Sequence, residues 1–160
     1  PGTSGRFSNK DLKLAATLKH LQELWLEHTD VDDSGLGELR SMNQLETLGL
    51  ICKYEPGKPA KITDAGLKHL SGLTNLRTLR LDDADVTDQG LVHLQALKKL
   101  EDLDLFGTEI SDAGLVHLQG LKNLSYLNVS ETQWETKRGT ITMEAVRSLQ
   151  NHLPHCDIDY

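Results

Sequence analysis

The sequence predicts a right-handed α/β solenoid, in which short helices and parallel strands alternate in one continuous series. The first observation is a repeat of 24 residues: the segment 62–70, Ile-Thr-Asp-Ala-Gly-Leu-Lys-His-Leu, recurs with small changes at 86–94 and 110–118. A fixed period of roughly 20–50 residues indicates stacked repeats that share one core. The second observation is the pattern inside each unit, where apolar residues three apart are followed by apolar residues that alternate with polar ones. These spacings are typical of a helix and of a strand.

The first half of each unit carries the signals of a short helix. A small polar residue precedes the helix and can accept amide hydrogens of its first turn; these residues are Ser8, Asp32, Thr63, Thr87, Ser111 and Thr142. Apolar residues then recur three apart, as in Leu12-Ala15-Leu18 and Leu67-Leu70-Leu73, and predict the buried face. Glycine weakens a helix, so its recurrence predicts a close approach between neighbouring repeats. The glycine column is Gly35, Gly66, Gly90 and Gly114.

The second half of each unit predicts a strand with one buried face, because leucines alternate with other residues, as in Leu79-Arg80-Leu81. The residues between the leucines face outward and form three columns across the sheet. The first column is Glu23, Thr47, Thr78, Asp102 and Tyr126. The second is Trp25, Gly49, Arg80, Asp104 and Asn128. The third is Glu27, Ile51, Asp82, Phe106 and Ser130.

The Leu-x-x-Leu-x-Leu core of each unit, as at Leu76, Leu79 and Leu81, resembles the leucine-rich repeat family. Where many members have Asn or Cys, three residues after the last leucine, this chain has Thr29, Lys53, Ala84, Thr108 and Thr132. The pattern is similar to Thr-containing bacterial repeats and, more distantly, to the cysteine-containing and ribonuclease-inhibitor-like classes. The resemblance implies a horseshoe with a concave parallel sheet of about six strands and a convex side of short helices. It also implies recognition of other proteins without chemistry of its own.

The units divide the chain into residues 1–6, read as a linker or a tag remnant, and residues 7–160, a single domain of about six repeats. Insertions near 54–61 and 134–140 carry Pro, Gly and charged residues, which are typical of loops. In the last unit we expect Cys156-Asp157-Ile158 to match Leu127-Asn128-Val129, with Cys156 and Ile158 pointing inward. The first unit has no polar cap, and such repeats often form part of a longer protein.

The composition limits the kinds of partner that this chain can bind. The net charge of −7 disfavours nucleic acid, because an acidic chain repels phosphates. No apolar run reaches the ~18 residues that a membrane-spanning helix needs, and residues 1–6 hold no apolar stretch of a signal peptide. Cys52 and Cys156 fall about four repeats apart, on the order of 15–20 Å. This exceeds the ~7 Å between Cα atoms that a disulfide allows. The cysteines therefore give no evidence for an oxidising cellular compartment.

The outward columns combine large aromatic residues with carboxylates, and we predict that they bind a partner. Rigid aromatic side chains are effective anchors, and acidic neighbours favour a basic protein or peptide. The predicted contact residues are Trp25, Glu27, Arg80, Asp82, Asp104, Phe106, Tyr126 and Asn128. The alternative is a structural scaffold without a ligand, in which these are solvated strand residues and Arg80 pairs with Asp104.

Three arrangements suggest chemistry only weakly. His69, His93 and His117 recur at the repeat period, but one helix face gives a linear row of imidazoles rather than a tetrahedral zinc site. Asp82, Asp83, Asp102 and Asp104 offer oxygens for calcium without the spacing of a calcium loop. Cys52 and His28 fall near each other on adjacent repeats without a recognisable nucleophile motif. We therefore predict no enzyme activity and no cofactor.

Overall fold

The fold is an open sheet of six parallel strands, hydrogen-bonded in chain order from β1 to β6. A computed structural model describes residues 6–27, 29–51, 61–130 and 141–160. The strands are β1 (Glu23–Trp25), β2 (Thr47–Gly49), β3 (Thr78–Arg80), β4 (Asp102–Asp104), β5 (Tyr126–Asn128) and β6 (Asp157–Asp159). Each strand is three residues long, so the sheet gains its stability from stacking of repeats rather than from strand length. The predicted solenoid is confirmed.

Helices cover the other side of the core. They are α1 (Asn9–Ala15), α2 (Asp33–Leu36), α3 (Asp64–Leu67), α4 (Asp88–Leu91), α5 (Asp112–Leu115) and α6 (Met143–His152). Tight 3-10 turns continue three of them, over Gly37–Ser41, Val92–Leu94 and Val116–Leu118. Five of the six predicted caps accept an amide hydrogen through the side chain: Asp32, Thr63, Thr87, Ser111 and Thr142. Ser8 differs, because its backbone N–H and its hydroxyl both donate to Asp11.

The core is a set of leucine columns that run through all the repeats. One repeat shows the rule: Leu91, Leu94 and Leu97 of its helical half and Leu100 and Leu103 of its strand half are fully buried. Burying a leucine side chain stabilises the fold by about 1.5–3 kcal/mol. Since each repeat adds the same residues to the same columns, the core grows along the solenoid axis.

The glycine column exists because an acidic or amide side chain of the preceding repeat lies against it. In each pair, a residue of the first helical turn hydrogen-bonds to the cap residue of the next repeat. The pairs are Asn9–Asp32, Asp33–Thr63, Asp64–Thr87, Asp88–Ser111 and Asp112–Thr142. A Cβ on Gly90 would overlap Asp64 Oδ1. We call these pairs the Asp–cap ladder.

The first pair of the ladder has an amide where the others have a carboxylate. Asn9 Nδ2 donates to Asp32 Oδ1 at 2.8 Å, and the Asp32 N–H donates to Asn9 Oδ1 at 3.1 Å. A carboxylate at position 9 would face that of Asp32 and could not donate to it. The amide therefore allows an acidic cap in this repeat.

The last strand corrects a prediction. Ile158 pairs with Leu127, and Asp157 and Asp159 pair with Tyr126 and Asn128. The expected match of Cys156-Asp157-Ile158 to Leu127-Asn128-Val129 is therefore wrong by two positions. With the observed register, Thr142 is as far from Ile158 along the chain as Ser111 is from Leu127, so this helical half is not shortened. The inward direction of Cys156 and Ile158 is confirmed, because both are buried.

The first repeat is less buried than expected. Leu12 is fully buried, but Leu18, predicted on the same inner face, is 55% exposed, and Leu14 is 70% exposed. Leu21 and Leu24 are half-buried. These side chains lie at the N-terminal edge, where no described repeat packs on them. Cys52, Trp134 and most of the two predicted insertions lie outside the described residues.

Candidate concave binding face

The concave face is set by the sheet register. Parallel pairing aligns Trp25, Gly49, Arg80, Asp104, Asn128 and Asp159 in its central row. A second row aligns Glu23, Thr47, Thr78, Asp102, Tyr126 and Asp157. Beyond the strand ends, Glu27, Ile51, Asp82, Phe106 and Ser130 follow at the alternate positions. The structure thus brings the predicted contact residues to one face, and adds Asp157 and Asp159.

The charge of this face is strongly negative. Its acidic residues come from β1, β3, β4 and β6 and their ends: Glu23, Glu27, Asp82, Asp102, Asp104, Asp157 and Asp159. Among the described residues of these three rows, Arg80 is the one cation. An uneven charge of this kind attracts positive partners and repels negative ones.

Trp25 is the most exposed aromatic side chain of the face. It is 46% exposed, whereas Phe106 and Tyr126 are half-buried. Its ring lies over Gly49 of the neighbouring strand: a Cβ on Gly49 would overlap Cε3 and lie 2.8 Å from Cζ3. Glycine inside a strand often marks such a close approach. The indole is thus seated on the backbone of β2 and keeps a large area open to solvent.

Arg80 and Asp104 form the centre of the face. Arg80 Nη1 lies 3.5 Å from Asp104 Oδ2, as the scaffold alternative predicted. Asp104 is 4% exposed, and its Oδ1 accepts the N–H of Phe106 at 3.0 Å. The prediction of Asp104 as a contact residue is therefore weakened, because its carboxylate is buried and committed to neighbours within the chain.

Asp82 and Asp102 lie next to this pair, and each has a carboxylate oxygen without a hydrogen-bond partner among the described residues. Asp82 Oδ2, Asp102 Oδ1 and Arg80 Nε are buried, with no hydrogen-bond partner in the described part of the chain. Burial raises the pKa of Asp82, with a further contribution from the Asp104 charge, and burial also raises the pKa of Asp102. The Arg80 charge lowers both pKa values, but burial has the larger effect, so the two carboxylates are only partly compensated.

The far end of the face is organised by β5 and β6. The Tyr126 hydroxyl donates to Asp159 Oδ2 at 2.8 Å, and this bond is the main cause that raises the Tyr126 pKa to about 12. Asn128 Oδ1 accepts the N–H and the hydroxyl of Ser130, at 3.0 and 2.6 Å. Asn128, like Asp104, therefore turns the chain at the end of its strand.

Two functional features escaped the sequence prediction. Asp157 and Asp159 were missed because the outward columns were followed only to the fifth unit; alternation around the inward Cys156 and Ile158 places both of them on the outward face. The role of Gly49 was missed because the sequence of one strand does not show that a tryptophan of the preceding strand lies on it.

The weaker chemical arrangements find little geometric support. In the described residues, no group of three or more His, Cys, Asp or Glu is placed to hold a metal ion. In the histidine row, His69 contacts the Arg40 guanidinium, and His117 Nδ1 lies 3.1 Å from Gln95 Nε2. Burial and the Arg40 charge lower the His69 pKa. Cys52 and His28, the two residues noted near each other on adjacent repeats, both lie outside the described residues.

The repeat and the fold together are those of a leucine-rich repeat solenoid. The family model described as "Leucine Rich repeat" matches residues 72–94 and 96–118. Within the described residues, no helix is both long and apolar enough to cross a bilayer.

Three solved structures with a similar fold come from bacteria. An internalin (InlF) of Listeria monocytogenes is 21% identical with a TM-score of 0.66, over 92% of this chain and 36% of that one. A second Listeria monocytogenes internalin is 20% identical, with a TM-score of 0.64 over 97% of this chain and 66% of that one. A leucine-rich repeat protein of Leptospira interrogans is 22% identical, with a TM-score of 0.59 over 92% and 33%. No curated protein sequence matches this chain. The chain thus spans between a third and two thirds of the length of these structures.

Proposed function

We propose that this chain is a protein-binding module that presents the concave face of its sheet to a protein or peptide. The carrying observation is Trp25, a large aromatic residue that is 46% exposed and seated on a rigid sheet. An amphipathic ring held in place contributes buried area at little cost in side-chain entropy. No catalytic step, cofactor or nucleic-acid ligand is part of the proposal.

The module is proposed as one domain, residues 7–160, that functions within a longer protein. The single domain is supported by one continuous core, which runs from Leu12 to Ile158. The longer protein is supported by the length of the similar structures, of which two are about three times as long as the matched region.

The rival function is a structural scaffold with no ligand. It is favoured by the hydrogen bonds that Asp104, Asn128 and Tyr126 make within the chain, since these residues are occupied without a partner. Trp25 distinguishes the two functions, because the exposed area of its ring has no role in a scaffold that binds nothing.

The test is capture of proteins from a lysate of the source organism by immobilised wild-type chain, Trp25→Ala and Tyr160→Ala. Tyr160 is a matched control, because it is an aromatic residue 52% exposed outside the three rows. We expect at least one protein to be retained by wild type and Tyr160→Ala but lost with Trp25→Ala, and then to bind as a purified protein. Identical capture by all three baits would support the scaffold. Circular dichroism confirms that each variant is folded.

A further inference from the structure

Trp25 lies in an environment that selects for positive charge. Glu23 precedes it by two residues within β1, and Glu27 follows it by two residues just beyond the strand end, after the buried Leu26. All three therefore project from the same face. Both glutamates are exposed, and no salt bridge of either one is seen among the described residues. One side of the indole lies on Gly49, and the remaining area is open.

This combination matches the chemistry of an arginine side chain. A guanidinium is planar and stacks on an aromatic face, where the ring quadrupole attracts its charge. Its N–H groups extend in the plane and can donate to carboxylates at both sides of the ring. Lysine has a compact ammonium that stacks less well and is more strongly hydrated. A neutral aromatic or aliphatic side chain would leave the two glutamates without a counter-charge.

We propose that Trp25, Glu23 and Glu27 receive an arginine of an extended basic segment of the partner protein. This inference rests on the proposed function and names the chemistry that the same face recognises. It commits to a basic peptide segment because the rows of the concave face carry seven carboxylates, named above, against Arg80, and this charge is complementary to such a segment.

The spacing of charges along the face defines the segment further. The first and last strands both carry exposed carboxylates, Glu23 on β1 and Asp157 and Asp159 on β6. Five strand spacings of ~4.8 Å separate them, about 24 Å, which an extended chain of about seven residues spans. Between them, Asp82, Asp102 and Asp104 are buried or half-buried, and Arg80 already lies 3.5 Å from Asp104, so the middle of the face exposes little charge to a second cation. The segment should therefore carry basic residues near both ends and neutral residues between them.

The probe is a synthetic peptide with two arginines separated by about six serine and glycine residues. Its binding is measured by isothermal titration at low salt, next to peptides with lysine or with uncharged citrulline in place of arginine. We expect the arginine peptide to bind more tightly than the lysine peptide, the citrulline peptide not to bind, and affinity to fall with added salt. Equal binding of either substituted peptide, or no measurable binding of the arginine peptide, would overturn the assignment.

Two substitutions test whether the Trp25 ring, held over Gly49, contributes to binding of the arginine peptide. Trp25→Leu keeps an apolar side chain but removes the π face, and should weaken arginine-peptide binding about two- to fivefold. Gly49→Ala keeps Trp25 and every charge but displaces the indole, and should also weaken binding. Tyr160→Leu is the control and should bind as wild type. Unchanged affinity of both Trp25→Leu and Gly49→Ala would show that the ring does not take part.

The arginine proposal and the module proposal fail in different ways. A protein that is captured in a Trp25-dependent manner, but is not displaced by excess arginine peptide, would overturn the arginine assignment and leave the module intact. Loss of all Trp25-dependent capture would remove the module itself. Displacement by the arginine peptide and not by its citrulline form supports both.

Discussion

Asp64 holds Thr87 of the next repeat by two hydrogen bonds, one from the backbone and one from the side chain. The Thr87 N–H donates to Asp64 Oδ1 at 2.8 Å, and the Thr87 hydroxyl donates to Asp64 Oδ2 at 2.7 Å. The same hydroxyl accepts the N–H of Gln89 and so begins α4. One carboxylate in the first turn of α3 therefore fixes the residue that begins α4.

Asp64→Ala should reduce the free energy of unfolding by about 1–3 kcal/mol, because it leaves the part-buried Thr87 N–H without its acceptor. Urea unfolding followed by circular dichroism gives the midpoint. Asp112→Ala is the control, because it removes the same two hydrogen bonds, to Thr142, at a more exposed position. Water can replace the lost acceptor there, so its effect should be smaller. Equal losses in the two variants would contradict this account of the ladder.

Gly90→Ala should destabilise the chain although alanine is the better helix former. Alanine would gain about 1 kcal/mol from helix propensity. Its Cβ, however, would overlap Asp64 Oδ1 and lie 3.1 Å from both Leu67 Cδ1 and Val86 Cγ1. Displacing the ladder carboxylate costs more than the propensity returns, and we expect a net loss of about 1–3 kcal/mol in the same unfolding experiment.

Gly72→Ala is the matched control for that substitution. A Cβ on Gly72 would meet no atom within 4 Å, and its φ angle is not in the left-handed region. This change should be neutral or stabilise by about 0.4–1 kcal/mol, since it restricts the unfolded chain. A stabilised Gly90→Ala variant would show that Asp64 moves aside without cost, and that the glycine column has another origin.

Asp83 and Gly107 occupy the same place in successive repeats, and both have left-handed backbone angles, with φ of 56° and 68°. Both N–H groups donate across to the following repeat, to Phe106 O and Ser130 O. The turn therefore demands a positive φ, which glycine adopts freely and other residues adopt at a cost of about 1 kcal/mol. Burial also raises the pKa of Asp83, so its carboxylate is held at a further cost.

Asp83→Gly should accordingly stabilise the chain at neutral pH, and Gly107→Ala should destabilise it by about 1–2 kcal/mol. Thermal unfolding at pH 7 measures both. Asp85→Gly is a control two residues away, where the side chain is exposed and φ is not positive. It should destabilise slightly, because glycine gains freedom in the unfolded chain. Stabilisation by Asp85→Gly of the same size would mean that loss of negative charge, not backbone strain, explains the Asp83 result.

The sequence predicted β1 to β5 and their buried leucines well because both follow from one local rule repeated at a fixed distance. The rule failed at the last strand, where Leu153, Cys156 and Ile158 repeat the leucine spacing, yet Ile158 rather than Cys156 pairs with Leu127. It also failed at Leu18, which has the right spacing but no described neighbour to bury it. The contact between Trp25 and Gly49 depends on the side-chain rotamer of Trp25, which places the ring over the neighbouring strand. Residue spacing does not predict a rotamer.

Asp102→Asn should stabilise the chain at neutral pH, and the advantage should shrink in acid. Burial raises the pKa of Asp102 above its ordinary 3.8, because the Asp102 charge is less well solvated on the sheet than in the unfolded chain. The folded state then holds the Asp102 proton more firmly than the unfolded state does. Stability therefore falls as the pH rises from about 3.8 through the raised pKa, and the full penalty is present at pH 7. Asparagine, which carries no charge, avoids this penalty.

Urea midpoints of wild type and Asp102→Asn, measured from pH 7 down to about pH 3.5, give the difference in stability at each pH. That difference should favour the variant at pH 7 and decline as the pH falls through the raised pKa, since the wild-type carboxyl then takes up its proton. Asp157→Asn removes the same charge from an exposed position of the face and controls for net charge. A difference that is independent of pH would show that Asp102 is not held at a cost. The same variant should bind the arginine peptide less tightly, because the uncompensated charge that weakens the fold is also part of what attracts a basic partner.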